Sequence, residues 1–282
     1  MDRRLTPANK RVAAQHLRGQ VEAASYVAGT EKMVAVPLAD LLSAPHGRRE
    51  RQLLLGERVQ MFEERAGWAF VQAEKDGYVG YLRFDQLEER RPATHWVIAR
   101  ASHLYTEPDF KSHERMNLSM GSQFRVIGET ERFFETPLGY IPRPHLAPLD
   151  RLASDPVEVA ERYLGVPYLW GGNSIWGIDC SGLVQAACVG VGVPCLGDSD
   201  MQEAQTGRAL SETAKLRRGD LLFWKGHVAL VAGKGRLLHA NAHHMAVAYE
   251  DMETAIARIA AQGDGPVTSR RRLPRLRRRA GG

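Results

Sequence analysis

Residues 178–191 read IDCSGLVQAACVGV. The apolar side chains of this stretch recur at the spacing of a helix with one buried face: Leu183, Val184, Ala187, Cys188 and Val191. This pattern predicts that a buried helix begins at Cys180. A helix N-terminus carries partial positive charge, so a thiol there is predicted to have a lowered pKa and a reactive thiolate. The amide of Cys180 can also point at a developing oxyanion, which makes this residue a candidate nucleophile.

The chain has two other cysteines, Cys188 and Cys195. Cys188 falls on the apolar stripe of the predicted helix, and Cys195 follows a proline in a predicted loop. A total of three cysteines is both low and odd, which argues against a disulfide framework, so reduced thiols are expected. Both residues are predicted to be inert.

A nucleophilic thiol needs a base, and the base needs a group that orients it. Residues 220–231 are rich in strand-forming residues, Gly-Lys-Gly at 233–235 predicts a turn, and residues 236–241 predict a second strand. In such a hairpin His227 and His239 would lie on one face at near-facing positions. They are candidates for base and orienter, although two unrelated core or surface histidines would fit the same spacing.

The segments before Cys180 fall into two kinds. Residues 33–88 and 96–149 share an order of signals: an apolar run, a proline turn, a glycine at 56 or 121, an alternating strand, and Gly-Tyr at 77 or 139. Short strands with frequent turns predict two small β-barrels of the bacterial SH3-like kind. Asp155 and Pro156 then predict the start of a helix that ends before Gly165. The third domain is therefore predicted to combine helices with an antiparallel sheet.

The formal net charge of +5 comes from one end of the chain. Residues 269–282 hold seven of the 38 basic residues; the 31 that remain stand against 33 acidic ones, a net charge of −2. A terminal basic strip is more often a solvated end than a phosphate-binding surface, and residues 267–273 also read as a last strand. Binding to nucleic acid is therefore not expected.

Two further observations concern location. The sequence has no run of eighteen apolar residues, so neither a transmembrane helix nor a membrane partner is predicted. The first twenty residues are basic but lack an apolar segment and a cleavage site, so no secretory signal is predicted. The cytoplasm is the expected location unless another system exports the protein.

Five motifs occur in order, and together they resemble the NlpC-type cysteine peptidases, papain-like enzymes that cut bacterial cell-wall peptides. The motifs are Tyr168-Leu-Trp-Gly-Gly, Asp179-Cys-Ser-Gly, Arg218-Gly-Asp-Leu-Leu-Phe, Gly226-His-Val-Ala and Leu238-His-Ala-Asn. The resemblance implies that Cys180 is the nucleophile, His227 the base and His239 the orienter. It also implies that the Tyr168 hydroxyl lies at the oxyanion hole.

With two SH3-like barrels in front, the layout resembles the γ-D-glutamyl-L-diamino acid endopeptidases of murein peptide recycling. That resemblance implies that Asp179 and Ser181 hold the free amino group of an N-terminal L-alanine, and that the first barrel closes this end of the cleft. Tyr78 and Glu57 are the barrel residues expected there, but Tyr78 filling its barrel and Glu57 facing solvent are equally compatible with the sequence.

The opposite side of the expected cleft is less well defined. Residues 198–202, including Ser199, match a segment that lines the diamino-acid side, but Gly197 stands where related sequences often carry arginine. Trp170 is predicted to stack on substrate, with packing within its own loop as the alternative. His239, His243 and His244 have no carboxylate or cysteine at ligand spacing, so neither a metal nor another cofactor is expected.

The predicted fold class is α+β, a papain-like cysteine peptidase domain preceded by two small SH3-like β-barrels. The predicted domains are an N-terminal helical or extended segment (1–27), barrel 1 (28–91), barrel 2 (92–150), the peptidase domain (151–273) and a basic tail (274–282). The predicted substrates are murein tripeptides and tetrapeptides, cut at the γ-D-glutamyl-L-diamino acid bond. The protein is expected to be a monomer. The alternatives are a wall-binding or effector protein that acts on intact peptidoglycan, and a thiol acyltransferase or amidase.

Overall fold

The structure is a computed structural model that describes residues 1–274. Residues 275–282, which make up most of the predicted basic tail, lie outside the described residues. The chain divides into two compact units, Met1–Arg151 and Leu152–Gly282. Within residues 1–274, every helix is too short or too polar to serve as a membrane span.

The first unit begins with an extended segment that packs on the sheet that follows it. Its two short parallel strands, β1 (Val12–Ala14) and β2 (Ser25–Val27), flank a 3-10 turn at Gln15–Leu17. The segment buries Val12 and Leu17 against Phe62 and Phe70 of the first barrel. Its apolar side chains therefore add to the core of that barrel.

The first barrel is one antiparallel sheet of seven strands in the order β5-β4-β8-β7-β6-β3-β9. Its strands are β3 (Thr30–Val34), β4 (Leu38–Leu42), β5 (Arg49–Leu54), β6 (Arg58–Arg65), β7 (Trp68–Ala73), β8 (Val79–Arg83) and β9 (Leu87–Glu89). The turn between β5 and β6 requires a glycine, because Gly56 has φ of +80° and a Cβ atom there would lie 2.3 Å from the Gln123 carbonyl oxygen. Gly56 thus marks the point where the two barrels touch.

The second barrel is made of two antiparallel sheets that share one core. A three-stranded sheet has the order β13-β10-β17 and a five-stranded sheet the order β12-β11-β16-β15-β14. The strands are β10 (His95–Val97), β11 (Ala101–Tyr105), β12 (Glu114–Ser119), β13 (Gln123–Phe124), β14 (Gly128–Glu129), β15 (Phe133–Thr136), β16 (Gly139–Pro142) and β17 (Leu146–Pro148). Val97 and Phe124 meet Leu104 and Ile141 in the core.

One sequence prediction is wrong in this barrel. Residues 122–129 were expected to form a single alternating strand, but they form β13 and β14. The chain changes sheets between them, since β13 pairs with β10 whereas β14 pairs with β15. The chain must bend between β13 and β14 because the two strands belong to the two different sheets that enclose the shared core.

Between residues 152 and 274, the second unit contains four α-helices and two sheets. Its helices are α1 (Pro156–Glu161), α2 (Cys180–Gly190), α3 (Ser199–Gln205) and α4 (Met252–Ile259), the last continued by a π-helical turn at Ala260–Asp264. Its strands are β18 (Asn173–Ser174), β19 (Gly177–Ile178), β20 (Arg208–Ala209), β21 (Asp220–Trp224), β22 (His227–Gly233), β23 (Arg236–Asn241), β24 (Ala246–Asp251) and β25 (Ser269–Arg272). This mixture confirms the predicted α+β class.

Helix α1 begins as the sequence predicts and ends earlier than predicted. Asp155 accepts a hydrogen bond from the Val157 amide at 2.8 Å, which satisfies one of the free donors of the first turn. Beyond Glu161 the amides of residues 162–164 bond three residues back, so the last turn tightens before Gly165 at φ of +76°.

The main sheet has six antiparallel strands in the order β20-β25-β21-β22-β23-β24. The predicted hairpin is confirmed, with β22 and β23 joined through Gly233, Lys234 and Gly235. Strand β25 lies between β20 and β21, and Arg272 forms a two-pronged ion pair with the buried Asp220, at 2.7 Å to each carboxylate oxygen. Helix α2 packs against β22 and β23, which brings Cys180 to the start of β22.

Candidate active site

Cys180 is the first residue of α2, and the residue before it caps the helix. Asp179 accepts hydrogen bonds from the Gly182 amide at 2.6 Å and from the Ser181 hydroxyl at 3.0 Å through one oxygen. Its other oxygen accepts from the Gly171 amide at 2.9 Å. These three bonds hold the nucleophile candidate and the Tyr-Leu-Trp-Gly-Gly loop in one rigid corner.

The Cys180 thiol lies against the backbone on both sides of His227. Its Sγ is 4.0 Å from the Gly226 carbonyl oxygen and within hydrogen-bond reach of the Val228 amide. The pKa of the thiol is raised from 9.0 to about 12, mainly by burial and next by the Asp179 carboxylate, while nearby backbone amides lower it by less. The predicted lowering of this pKa is therefore wrong, because the cost of burying a charged thiolate exceeds the stabilisation that the helix N-terminus provides.

The two histidines of the predicted hairpin are in contact. His227 Nε2 lies 2.9 Å from His239 Nδ1, and their ring centroids are 5.1 Å apart. The Trp224 ring stands 5.6 Å from His227 on the neighbouring strand. Since Nε2 of His227 is engaged by His239, Nδ1 is the ring nitrogen left for proton exchange.

Both imidazoles are held in the neutral form. Burial lowers the pKa of His227 to about 3, with repulsion from His239 as the next cause. Burial also lowers the pKa of His239 to about 4, although the carboxylate of Glu250 opposes this shift. At neutral pH each ring therefore has one N–H donor and one bare nitrogen.

Two polar residues that the sequence reasoning did not single out continue this line of contacts. Glu250 on β24 lies 3.1 Å from His239 Nε2 through Oε2, and Arg258 on α4 bonds both Glu250 oxygens, Nε at 2.8 Å and Nη2 at 2.7 Å. Hydrogen bonds from Arg258 lower the pKa of Glu250, so the carboxylate stays charged. The signal available in the sequence was a glutamate shortly before a short amphipathic helix and an arginine in the last turn of that helix.

Tyr168 lies in the segment that precedes the Cys180 helix. It pairs with Ile178 just before the Cys180 helix, and its amide donates to the Met245 carbonyl at 2.9 Å. Burial raises the pKa of the Tyr168 hydroxyl well above its usual value, and interactions with Cys180 and Asp179 add to the rise. The hydroxyl is thus a neutral donor within electrostatic range of the thiol. Two residues further on, Trp170 is 71% exposed.

The segment that follows α2 is anchored to the start of that helix. Gln202 is fully buried, and its side-chain amide donates to the Ser181 and Leu196 carbonyls at 2.9 Å each. Ser199 opens α3 and is partly buried, whereas Gly197 is buried in the loop before it. Whether Ser199 or Ser181 contacts substrate stays a prediction.

Tyr78 and Glu57 lie in the first unit and are both buried. The alternative of a solvent-facing Glu57 is wrong, because Lys75 pairs with Oε1 at 2.6 Å and Oε2 has no hydrogen-bond partner among residues 1–274. Tyr78 is 3% exposed, which agrees with the barrel-filling alternative. The roles of these two residues in substrate selection stay predictions.

The remaining cysteines and histidines form no comparable group. Cys188 and Cys195 are buried, reduced thiols, and the hydrogen bond between them, followed by burial, raises the pKa of Cys188. The rings of His243 and His244 stand 4.8 Å apart. Within the described part of the chain, no three His, Cys, Asp or Glu side chains are grouped as metal ligands.

Of the C-terminal arginines, 270–272 bond main-chain or carboxylate oxygens of the second unit.

A cysteine at the start of a helix, packed beside a sheet that carries two contacting histidines, defines a papain-like cysteine peptidase. The sequence model of the NlpC/P60 family matches residues 165–261, and that of the bacterial dipeptidyl-peptidase Sh3 domain matches residues 41–87. The chain belongs to the NlpC/P60 family and is a cysteine peptidase, a hydrolase, with an SH3-like β domain before the peptidase domain.

Similar proteins agree with this assignment. The chain is 30% identical to a gamma-D-glutamyl-L-lysine dipeptidyl-peptidase of Bacillus subtilis over 218 residues. This aligned region covers 68% of this chain and 72% of the relative. It is also 28% identical over 240 residues to dipeptidyl-peptidase 6 of Lysinibacillus sphaericus, and this alignment covers 74% of this chain and 87% of that relative. A crystal structure of an NlpC/P60 family protein from Bacillus cereus superposes with a TM-score of 0.72 at 21% identity, covering 87% of this chain and all of that one. That likeness establishes the shared fold.

Proposed function

We propose that this protein cleaves the γ-D-glutamyl-L-diamino acid bond of short murein peptides that carry a free N-terminal L-alanine. The observation that carries the proposal is the placement of the Cys180 thiol at the backbone of His227, whose ring contacts His239. The names of two relatives, a gamma-D-glutamyl-L-lysine dipeptidyl-peptidase and a dipeptidyl-peptidase 6, support the choice of bond. A role in recycling wall peptides follows from the requirement for a free amino end.

The first half-reaction forms an acyl-enzyme. Nδ1 of neutral His227 accepts the thiol proton as Cys180 Sγ bonds to the γ-glutamyl carbonyl carbon. The Cys180 amide and the Tyr168 hydroxyl donate to the resulting oxyanion. The protonated His227 then gives its proton to the amine of the diamino acid, the C–N bond breaks, and the amine leaves.

The second half-reaction restores the enzyme. His227 accepts a proton from a water molecule as the water oxygen attacks the thioester carbon. The new tetrahedral intermediate collapses, the C–S bond breaks, and the proton returns to Cys180. The products are L-Ala-γ-D-Glu and the diamino acid or the peptide that begins with it.

Selection of a free amino end is assigned to the corner formed by Asp179 and Ser181. A buried ammonium group needs a carboxylate partner, and Asp179 is a buried carboxylate next to the nucleophile. Its three hydrogen bonds fix its position before substrate arrives, which reduces the ordering cost of binding. An acetylated amino end would carry no charge to compensate this carboxylate.

The proposal is tested by incubating the protein with L-Ala-γ-D-Glu-diaminopimelate, with the lysine analogue, and with both peptides acetylated at the amino end. Mass spectrometry should show L-Ala-γ-D-Glu released from the free peptides only, and no release by Cys180→Ala. Equal cleavage of free and acetylated peptides would contradict the amino-end selection. No cleavage, or transfer to an added amine in place of water, would contradict the hydrolytic function.

A further inference from the structure

A continuous line of four side chains runs from the base to an ion pair between β24 and α4. His227 Nε2 contacts His239 Nδ1 at 2.9 Å, and His239 Nε2 contacts Glu250 Oε2 at 3.1 Å. Arg258 then bonds both oxygens of Glu250. His239 is 1% exposed and the Glu250 side chain 8%, so water has little access to compete for these contacts.

The donors and acceptors along this line permit one arrangement of protons. Glu250 is ionised, and an ionised carboxylate can only accept, so His239 must carry its proton on Nε2. Nδ1 of His239 is then bare and can only accept, so His227 must carry its proton on Nε2. Nδ1 of His227 is therefore bare, which is the form that a base for the thiol requires.

We propose that Glu250, held by Arg258, is a positioning residue that fixes the tautomers of both histidines and thereby keeps His227 competent as a base. The proposal rests on the proposed function for its chemistry, but its structural content concerns the resting protein. Arg258 acts one step further away, because its two donors orient the carboxylate and keep it ionised.

The carboxylate also acts during the reaction. When His227 accepts the thiol proton, a positive charge appears in a buried site, where it is otherwise costly. Among the charged groups that act on the histidine pair, Glu250 favours that charge, whereas Arg258 and His244 oppose it. Glu250 thus stabilises the imidazolium state without taking the proton itself.

A purely structural ion pair is the alternative, and the molecule contains a matched example. Asp220 is buried on β21 and is bonded by two nitrogens of Arg272, at 2.7 Å each, with no imidazole among its bonded partners within residues 1–274. Replacing Asp220 therefore removes a comparable buried, arginine-bonded carboxylate without touching the histidines. Asp220→Asn is the control for Glu250→Gln.

The first measurement uses the full chain labelled with ¹⁵N-histidine, with the two signals assigned from His227→Gln and His239→Gln. The imidazole nitrogen shifts should show Nε2–H and a bare Nδ1 on both residues in the unmodified protein and in Asp220→Asn. Glu250→Ala should abolish the preference for Nε2–H, because the carboxylate that accepts this proton from His239 is gone. Nδ1–H on His227 in the unmodified protein, or unchanged tautomers in a folded Glu250→Ala variant, would overturn the proposal.

The second measurement is the rate at which iodoacetamide alkylates Cys180, followed by peptide mass mapping. We expect about 10²-fold or greater loss in Glu250→Ala, a smaller loss of at least about tenfold in Glu250→Gln, and wild-type rates in Asp220→Asn. For a peptide that is cleaved, the loss should fall on kcat and leave KM near its original value. If Glu250→Ala does not fold, a Glu250→Gln rate within twofold of wild type overturns the proposal.

These readouts separate the two proposals. Tautomers and alkylation need no peptide, so their agreement with expectation alongside failure to cleave murein peptides would reject the proposed function and retain the positioning role. Cleavage that is equally fast in Glu250→Gln and in the unmodified protein would reject the positioning role and retain the function.

Discussion

The resting site is predicted to hold a neutral thiol and a neutral imidazole, and a spectroscopic comparison with Cys180→Ser tests this. The pKa of Cys180 is raised to about 12 and that of His227 lowered to about 3. A thiol with that pKa is ionised in about one molecule in 10⁵ at pH 7. Transfer of its proton to His227 spans roughly nine pKa units, or about 12 kcal/mol.

Mutual attraction does not reverse that balance. Two unit charges about 4 Å apart at an effective dielectric constant near 20 attract by about 4 kcal/mol. The thiolate–imidazolium pair therefore stays several kcal/mol above the neutral pair. Because both pKa shifts oppose a preformed thiolate, we expect formation of the carbon–sulfur bond to accompany proton transfer.

The assay is ultraviolet difference spectroscopy at pH 7 between the unmodified protein and Cys180→Ser, which keeps Cys188 and Cys195 in both samples. No thiolate band is expected in the difference spectrum, and the histidine ¹⁵N spectrum should show no imidazolium at His227. The pH dependence of alkylation does not distinguish the two states, since they contain the same number of protons. A thiolate band that disappears in Cys180→Ser would refute the reasoning.

Three other variants have defined outcomes. Tyr168→Phe removes a proposed oxyanion donor, so kcat should fall by about 10²-fold with KM little changed, and steady-state kinetics showing no loss of kcat would contradict that role. In Asp179→Asn only one side-chain oxygen remains to accept the hydrogen bonds that the two carboxylate oxygens of Asp179 accept, so the unfolding free energy should fall by about 1–2 kcal/mol in urea titrations. His239 has a pKa lowered to about 4, so the unfolded chain binds more protons than the folded one as pH falls from 6.5 to about 4, and stability is lost across that window. His239→Gln should reduce this pH slope by up to about 1.4 kcal/mol per unit, and an unchanged slope would contradict the assignment.

The parts of the site that the sequence could predict are those set by local patterns. The helix at Cys180 follows from its apolar spacing, and the contact between His227 and His239 follows from strand periodicity across a short glycine turn. The two barrels follow from repeated turn signals, and Gly56 is needed where a left-handed residue also meets the neighbouring barrel.

The parts that escaped prediction depend on tertiary packing. Glu250 reaches His239 because β24 pairs with β23 in a register that places Ala248 opposite His239 and Glu250 opposite Leu237 on the same face. Arg258 reaches Glu250 because α4 folds back onto that face, and no local pattern gives the position of the helix. The predicted lowering of the Cys180 pKa was wrong for a similar reason. The position of the thiol at a helix start can be read from local sequence, but its burial is created by the surrounding fold.

The position of β25 has a consequence for synthesis of the protein. Strand β21 hydrogen-bonds to β22 on one side and to β25 on the other, and 44 residues separate the end of β21 at Trp224 from the start of β25 at Ser269. The sheet that carries both histidines is therefore incomplete on a ribosome until residue 272 has emerged. Until then β21 presents an open edge of the kind that pairs with other chains. Early segments can fold while translation continues, whereas hydrolytic competence is expected only after the peptidase unit has been synthesised through β25.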